Sequence, residues 1–216
     1  MGSHPLRTAF LRYYLRYFAR PARTVRSLLQ DGRRVRFAAF AVLIPATGYT
    51  VMYVCAWLAG GSPSTFKPWL AIPIAQYFKY DIFIVAPSMF LCWVLASGVI
   101  QLVSRLFSGT GSFEDTAVAL GFGIGTATWA TLAHDLTDAA LGLLGIIDMN
   151  AYEAALNGPT FWRGLLWTLY SIYFLWFVVL FAKGLRAVHG LNWPRSILLA
   201  VMALVVYQGV FLVFNR

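Results

Sequence analysis

Five apolar runs dominate the chain, at Phe37 to Ala59, Ile82 to Ser104, Ala117 to Ala133, Leu165 to Ala182 and Ser196 to Phe214, each free of Asp, Glu, Lys and Arg. A helix of roughly 20 apolar residues can cross a bilayer because lipid offers the backbone no hydrogen-bond partner and the helix supplies its own. The pattern predicts an all-α polytopic bundle of five transmembrane helices. The third run is short, and Ala139 to Ile147 continues its apolar character beyond a polar interruption, which leaves the far limit of that span open. Pro45 and Pro87 fall within the first two spans and should kink or loosen a turn there.

A different period precedes the first run. Over residues 5–30, Arg12, Arg16, Arg20 and Arg23 recur along one helical face, with Phe10, Tyr14, Tyr17 and Phe18 on another. This spacing predicts an amphipathic helix lying in the membrane plane, its arginines on anionic lipid headgroups. The chain then divides into a basic amphipathic arm, 1–36, and a five-helix transmembrane domain, 37–214. The arm's aromatic residues serve as interfacial anchors, so nucleic acid is not an expected partner; a topology signal is the plainer reading of the arginines.

Composition agrees: 60% of the 216 residues are hydrophobic and only 12% charged, which excludes a soluble domain, a disordered chain or a secreted disulfide scaffold. Cys55 and Cys92 each sit inside an apolar run and are expected to pack as small hydrophobes. No small-residue cleavage site follows the first run before the next polar loop, so that span is expected to stay as an anchor.

Charge then sets direction. Seventeen basic residues face eight acidic ones, and nine of the seventeen are arginines between Arg7 and Arg36. Under the positive-inside rule these join Arg105, Lys183, Arg186 and Arg195 on the cytoplasmic side, leaving Lys67, Lys79, Arg163 and Arg216 outside. The N-terminus is expected in the cytoplasm and the C-terminus beyond a plasma (inner) membrane. The arginine-rich, lysine-poor usage points to a prokaryotic gene.

Chemistry is sparse. The predicted span centres carry no ionisable group, and Gln101 and Gln208 are their strongest polar side chains, expected mainly as glue between helices. One cluster remains, His134, Asp135 and Asp138, with His134 and Asp138 four apart on one helical face. Imidazole with carboxylate can ligate a divalent metal; the plainer expectation is a helix end or break, with Asp135 or Asp138 capping the helix that follows. No catalytic residue, metal site or cofactor is assigned. In the third span Ala117, Gly121 and Gly125 form one small-residue ladder and Ala119, Gly123 and Ala127 another, so two faces can approach neighbours closely, within the bundle or in self-association. Leucine at Gly121 or Gly125 should disrupt that packing, and alanine should be tolerated. The loop Gly60 to Tyr80, rich in turn formers around Trp69 and Leu70, is expected against the outer interface or as a re-entrant element.

Two loops carry a resemblance. The stretch Leu106-Phe107-Ser108-Gly109-Thr110-Gly111-Ser112-Phe113-Glu114-Asp115-Thr116 leads into the third span, and Lys183-Gly184-Leu185-Arg186-Ala187-Val188-His189-Gly190-Leu191 ends the fourth. With five spans and a cytoplasmic N-terminus, these stretches resemble the Ypt-interacting-protein (YIP) family over most of residues 20–214. The resemblance implies a compact five-helix membrane domain; eukaryotic members associate with one another and with small GTPases in vesicle traffic. A short N-terminal segment and the missing proline in the third span keep GTPase binding out of the expectation. Read on their own residues, Gly109 and Gly111 permit unusual backbone and Ser112, Glu114 or Asp115 can cap the next helix. Gly109, Gly111, Phe113, Arg186 and an exposed His189 are then candidates for one cytoplasmic surface. The expected function is a non-enzymatic membrane organiser or protein-interaction scaffold, working through a membrane-protein partner or self-association; a transporter or channel subunit is the alternative.

Overall fold

The computed structural model describes residues 6–63, 69 and 72–215, which contain nine α-helices and one 3-10 turn. Two short helices, α1 (Leu6–Ala19) and α2 (Pro21–Leu28), precede α3 (Arg34–Leu58). After the 3-10 turn at Ile74–Gln76 come α4 (Tyr77–Leu106), α5 (Phe113–Ala127), α6 (Trp129–Leu143), α7 (Met149–Asn157), α8 (Phe161–His189) and α9 (Trp193–Phe214). The opening Met1 to His4, the part of the Gly60 to Tyr80 loop containing Lys67 (residues 64–68, 70 and 71) and Arg216 lie outside the described residues.

Helices α3, α4, α8 and α9 are each long and apolar enough to cross a bilayer, and α5 with α6 makes a fifth crossing if the bent pair counts as one span. The helix starts follow local chemistry. Ser112 and Asp115 form a reciprocal capping box at α5, and Asp148, Thr160 and Asn192 accept backbone N–H groups at the starts of α7, α8 and α9. Gly190 closes α8 at φ 67°, in the left-handed region. α3 and α4 continue through Pro45 and Pro87 without a break. Cys55 and Cys92 are free thiols, Cys92 buried.

The third span differs from the hydropathy reading in where it breaks. α5 ends at Ala127 and α6 leaves it at 42°, whereas His134, Asp135 and Asp138 lie inside α6, which runs on to Leu143. They neither end a helix nor cap one; Asp148 caps α7. At the break, the Thr126 and Thr128 hydroxyls donate back to the Phe122 and Ile124 carbonyls, the kind of back-bonding that bends helices.

α5 is the centre of the bundle: every residue from Thr116 to Ala127 is buried. Its small side chains make that possible. Gly121 faces Ala38 of α3 and Trp93 of α4, and Gly123 lies under the Phe181 ring of α8. Gly125 meets α3 at the Ala41 carbonyl, the group that Pro45, four residues on, has no N–H to satisfy. A Cβ on Gly125 would overlap that carbonyl oxygen and stand 2.8 Å from its carbon, so even alanine forces the backbone of α3 or α5 to shift there. The two ladders thus serve contacts within one chain.

Candidate functional site

The arm is docked into the bundle by two tyrosines. α1 places Tyr14 and Tyr17 on the side that packs against α5, where both are buried, and Arg12 and Arg16 on an exposed side. Phe10 adds ring contacts to Phe37 and Phe40 of α3 and Phe122 of α5. The Tyr14 hydroxyl donates to the Gly125 carbonyl at 2.5 Å and accepts from the Trp129 indole N–H at 2.8 Å. In an unbroken helix the Gly125 carbonyl would pair with the Trp129 backbone N–H; here the arm occupies the break. Tyr17 reaches the Ala119 and Leu180 carbonyls at 3.3 and 3.5 Å, joining α5 to α8. Burial pushes the Tyr14 phenol up to about 12, with the Trp129 hydrogen bond opposing the shift, and raises Tyr17 as well.

The aromatic face drawn from the sequence is therefore split. Tyr14 and Tyr17 turn into protein, while Leu11, Leu15 and Phe18 are exposed beside the arginines. Proline at position 21 separates α1 from α2, and Arg12, Arg16, Arg20 and Arg23 are all exposed and make no ion pair among the described residues. Arg34 is used differently, pairing with Asp115 and Glu114 at the start of α5, both at 3.1 Å. In the α2–α3 turn, the Arg33 guanidinium hydrogen-bonds Asp31 and holds its carboxyl below the usual range.

The two loops that resembled the YIP family meet at this same end. Thr116 Oγ1 lies 2.7 Å from Gln101 Oε1 and 3.0 Å from His189 Nε2, and Gln101 donates to the Gly111 carbonyl at 2.8 Å. With the threonine donating to the glutamine, the imidazole Nε2–H donates to the threonine, a tautomer assigned from this network. His189 is buried, not exposed as the turn suggested, because its ring fills the space left by Gly109 and Gly111. A Cβ on Gly109 would stand 2.9 Å from the Ser104 carbonyl oxygen, and one on Gly111 would overlap Val188. These glycines supply room rather than unusual backbone; the left-handed residue of the loop is Ser108, at φ 62°. Of the candidate surface only Phe113 and Arg186 are exposed, with Arg186 over the Trp193 ring at 4.8 Å.

At the opposite end, His134, Asp135 and Asp138 are brought together and gain a fourth member. His134 Nδ1 lies 3.1 Å from both an Asp135 and an Asp138 oxygen. Tyr152 of α7 donates to Asp138 at 2.5 Å and stands 3.3 Å from His134 Nε2. Burial, followed by the carboxylate it donates to, holds the Tyr152 phenol above its ordinary range. Among the described residues, no three His, Cys, Asp or Glu side chains are grouped as a metal ion requires. The four line a cavity of about 330 Å³ between α3, α4, α6, α7, α8 and α9, together with Glu153, Gln208 and many aromatic rings. The sequence reading missed Tyr152, which sits in a short amphipathic helix remote from the cluster, and Asp81. α4 begins at Tyr77, five residues before the apolar run, so Asp81 is a fully buried carboxylate near the start of a helix, outside the span centres that carry no ionisable group.

A family model described as the Yip1 domain matches residues 15–214. No curated protein and no solved structure matches the chain. The matched stretch begins inside α1 at Leu15, beside Tyr14, and ends with α9, taking in both loops that meet at His189. The architecture and this near-complete match together make the chain a multi-pass membrane protein belonging to the Yip1-domain family.

Proposed function

We propose that the chain is a non-enzymatic membrane organiser, with the arm at the cytoplasmic face of a plasma (inner) membrane and Asn215 at the other side. The observation that carries this reading is the three-sided surface of α1. Tyr14 and Tyr17 fix the helix to the bundle, Leu11, Leu15 and Phe18 are exposed on a second side and Arg12 and Arg16 on a third, an apolar and a basic side that suit acyl chains and headgroups. Arg20 and Arg23 extend the basic edge, each arginine near an anionic leaflet contributing about 1 kcal/mol. A second basic group, Arg26, Lys183 and Arg186, surrounds a pocket between α2, α8 and α9 that suits a phosphate-bearing headgroup. Because Tyr14 holds the break in the central span, lipid held by the arm bears directly on the core. Gly121 and Gly125 are occupied within the chain, so self-association or a membrane-protein partner falls to other surfaces, Phe113 and Arg186 among them.

The test is lipid retained by the full chain. Purified in mild detergent from membranes of mixed composition, the wild type should keep anionic over zwitterionic lipid when counted by mass spectrometry. Glutamine at Arg12, Arg16, Arg20 and Arg23 should erase that preference without unfolding the protein; unchanged preference would remove the reading. Crosslinking in native membranes reads out a protein partner.

The cavity favours a second reading, a transporter or channel subunit for a small solute or ion. Against it stands the buried stretch Thr116–Ala127, which fills the bundle between the cavity and the arm end. Solute flux in proteoliposomes without any partner would decide for transport.

A further inference from the structure

Building on the lipid-binding reading of the arm, we propose that the pocket between α2, α8 and α9 binds a phosphate monoester, presented by a lipid of the phosphatidic acid type. Lys183 and Arg186 lie three apart on one face of α8, and Arg26, in the last turn of α2, joins them in the lining. Ala22, Ala187 and Gly190 line the pocket too, and their small size leaves the hollow. Gly190 turns the chain out of α8, and Trp193, at the start of α9, forms a further wall. None of the chain's eight acidic side chains lines this pocket. At the same end of the bundle Asp31 is taken by Arg33, and Glu114 and Asp115 by Arg34. The Arg26 and Lys183 side chains make no hydrogen bond or ion pair among the described residues, and the Arg186 guanidinium sits over the Trp193 ring. Three positive charges thus share one hollow with no carboxylate among them, and a cleft of one sign concentrates the opposite ion.

The rest of the lining chooses the anion. A phosphate monoester carries about 1.5 to 2 negative charges near neutral pH, more than the single charge of a diester, so three cations favour it. No hydroxyl, amide or carboxylate side chain lines the pocket, so nothing there recognises the polyol of a glycerol or inositol headgroup. The same three cations repel the ammonium of choline, ethanolamine and serine lipids. A terminal phosphate needs neither kind of partner. Arg186, held over the Trp193 ring at 4.8 Å, keeps N–H donors for two phosphate oxygens, and Leu191 with the indole adds apolar surface for the acyl side of a lipid. A pocket of about 330 Å³ holds one such headgroup. The arm arginines, strung along an exposed edge, attract negative charge in general and make no comparable hollow.

The experiment offers full-length protein in mild detergent equal amounts of dioleoyl phosphatidic acid, phosphatidylglycerol and phosphatidylcholine, and counts bound lipid by native mass spectrometry. The wild type should hold phosphatidic acid over phosphatidylglycerol by at least fivefold. Lys183→Gln combined with Arg186→Gln should bring these two lipids level while both still exceed phosphatidylcholine. Arg26→Gln, at an exposed position on α2, should lower the ratio at least twofold, and Lys183→Arg should keep it. Glutamine at Arg12, Arg16, Arg20 and Arg23 should do the converse, removing the excess of phosphatidylglycerol over phosphatidylcholine and sparing the phosphatidic acid ratio, so the arm and the pocket fail separately. Free glycerol 3-phosphate in a thermal-shift titration distinguishes the two sources of the group. Saturable stabilisation that the double variant loses, without phosphatidic acid enrichment, assigns the pocket to a soluble monoester; enrichment without stabilisation assigns it to the lipid. Equal binding of the two anionic lipids with no stabilisation by glycerol 3-phosphate, or a fivefold ratio that survives in the double variant, would overturn the proposal.

Discussion

Replacing Tyr14 by phenylalanine removes one oxygen atom from the join between the arm and the broken span. That oxygen donates to the Gly125 carbonyl and accepts from the Trp129 indole N–H. The two losses differ in cost. Trp129 is 38% exposed, so its N–H can find another acceptor, and forfeits about 0.5 kcal/mol. Gly125 is buried, and at the break its carbonyl has no helical N–H to fall back on. Such an orphaned carbonyl costs about 1 to 3 kcal/mol, and side-chain hydrogen bonds measured in membrane helices reach about 1.7. The sum is about 2 kcal/mol, or about 30-fold in the unfolding equilibrium. Tyr17→Phe is the internal control. Its bonds are long, 3.3 and 3.5 Å, and its acceptor carbonyls lie within continuous helix with partners of their own, so its loss should stay near 0.5 kcal/mol. Reversible denaturation of the full chain in mixed micelles, followed by tryptophan fluorescence, gives both numbers. Limited trypsin digestion at Arg12 and Arg16 gives arm release separately, and should speed up in Tyr14→Phe before the bundle unfolds. A Tyr14→Phe variant within 0.5 kcal/mol of wild type, or one no worse than Tyr17→Phe, would refute the argument that the arm completes the third span.

Gly125→Ala should destabilise by about 1 to 3 kcal/mol, because the added methyl meets the Ala41 backbone, which cannot rotate away. Gly121→Ala should cost less, since its nearest contacts, Ala38 and the Trp93 ring nitrogen, stand at 3.0 to 3.1 Å and can shift slightly; equal losses in the same denaturation assay would contradict the geometry. The Asp31 turn should respond to acid. Its carboxyl is lowered by the Arg33 hydrogen bond, so its stabilising effect is present above the unfolded value of about 3.9 and fades as pH falls through the lower folded value. Asp31→Asn should flatten that part of the stability profile, and a profile unchanged by the substitution would show that the turn contributes nothing.

How much of this was legible beforehand differs from site to site. The five spans, the basic arm and the small-residue ladders follow from the sequence because each is a local property. Transfer to lipid is counted residue by residue, and helical faces follow from fixed spacing. His134 and Asp138 were placed on one face by the same arithmetic, and they do meet, 3.1 Å apart. What surrounds them was not legible. Hydropathy takes a polar group in a span to be facing lipid and so ends the helix there, but α6 runs on because these side chains face a cavity walled by other helices. His189 has the sequence setting of an exposed turn residue, and only the docking of Gly109 and Gly111 against its ring buries it. Tyr14 has the setting of an interfacial anchor, and only the break at Thr128, more than a hundred residues away, gives its hydroxyl a carbonyl to complete. The sequence determined which segments enter the membrane, since that depends on each segment's own transfer free energy. Tertiary structure decided which polar groups survive there, since a buried polar group is tolerated only where distant segments supply its partner.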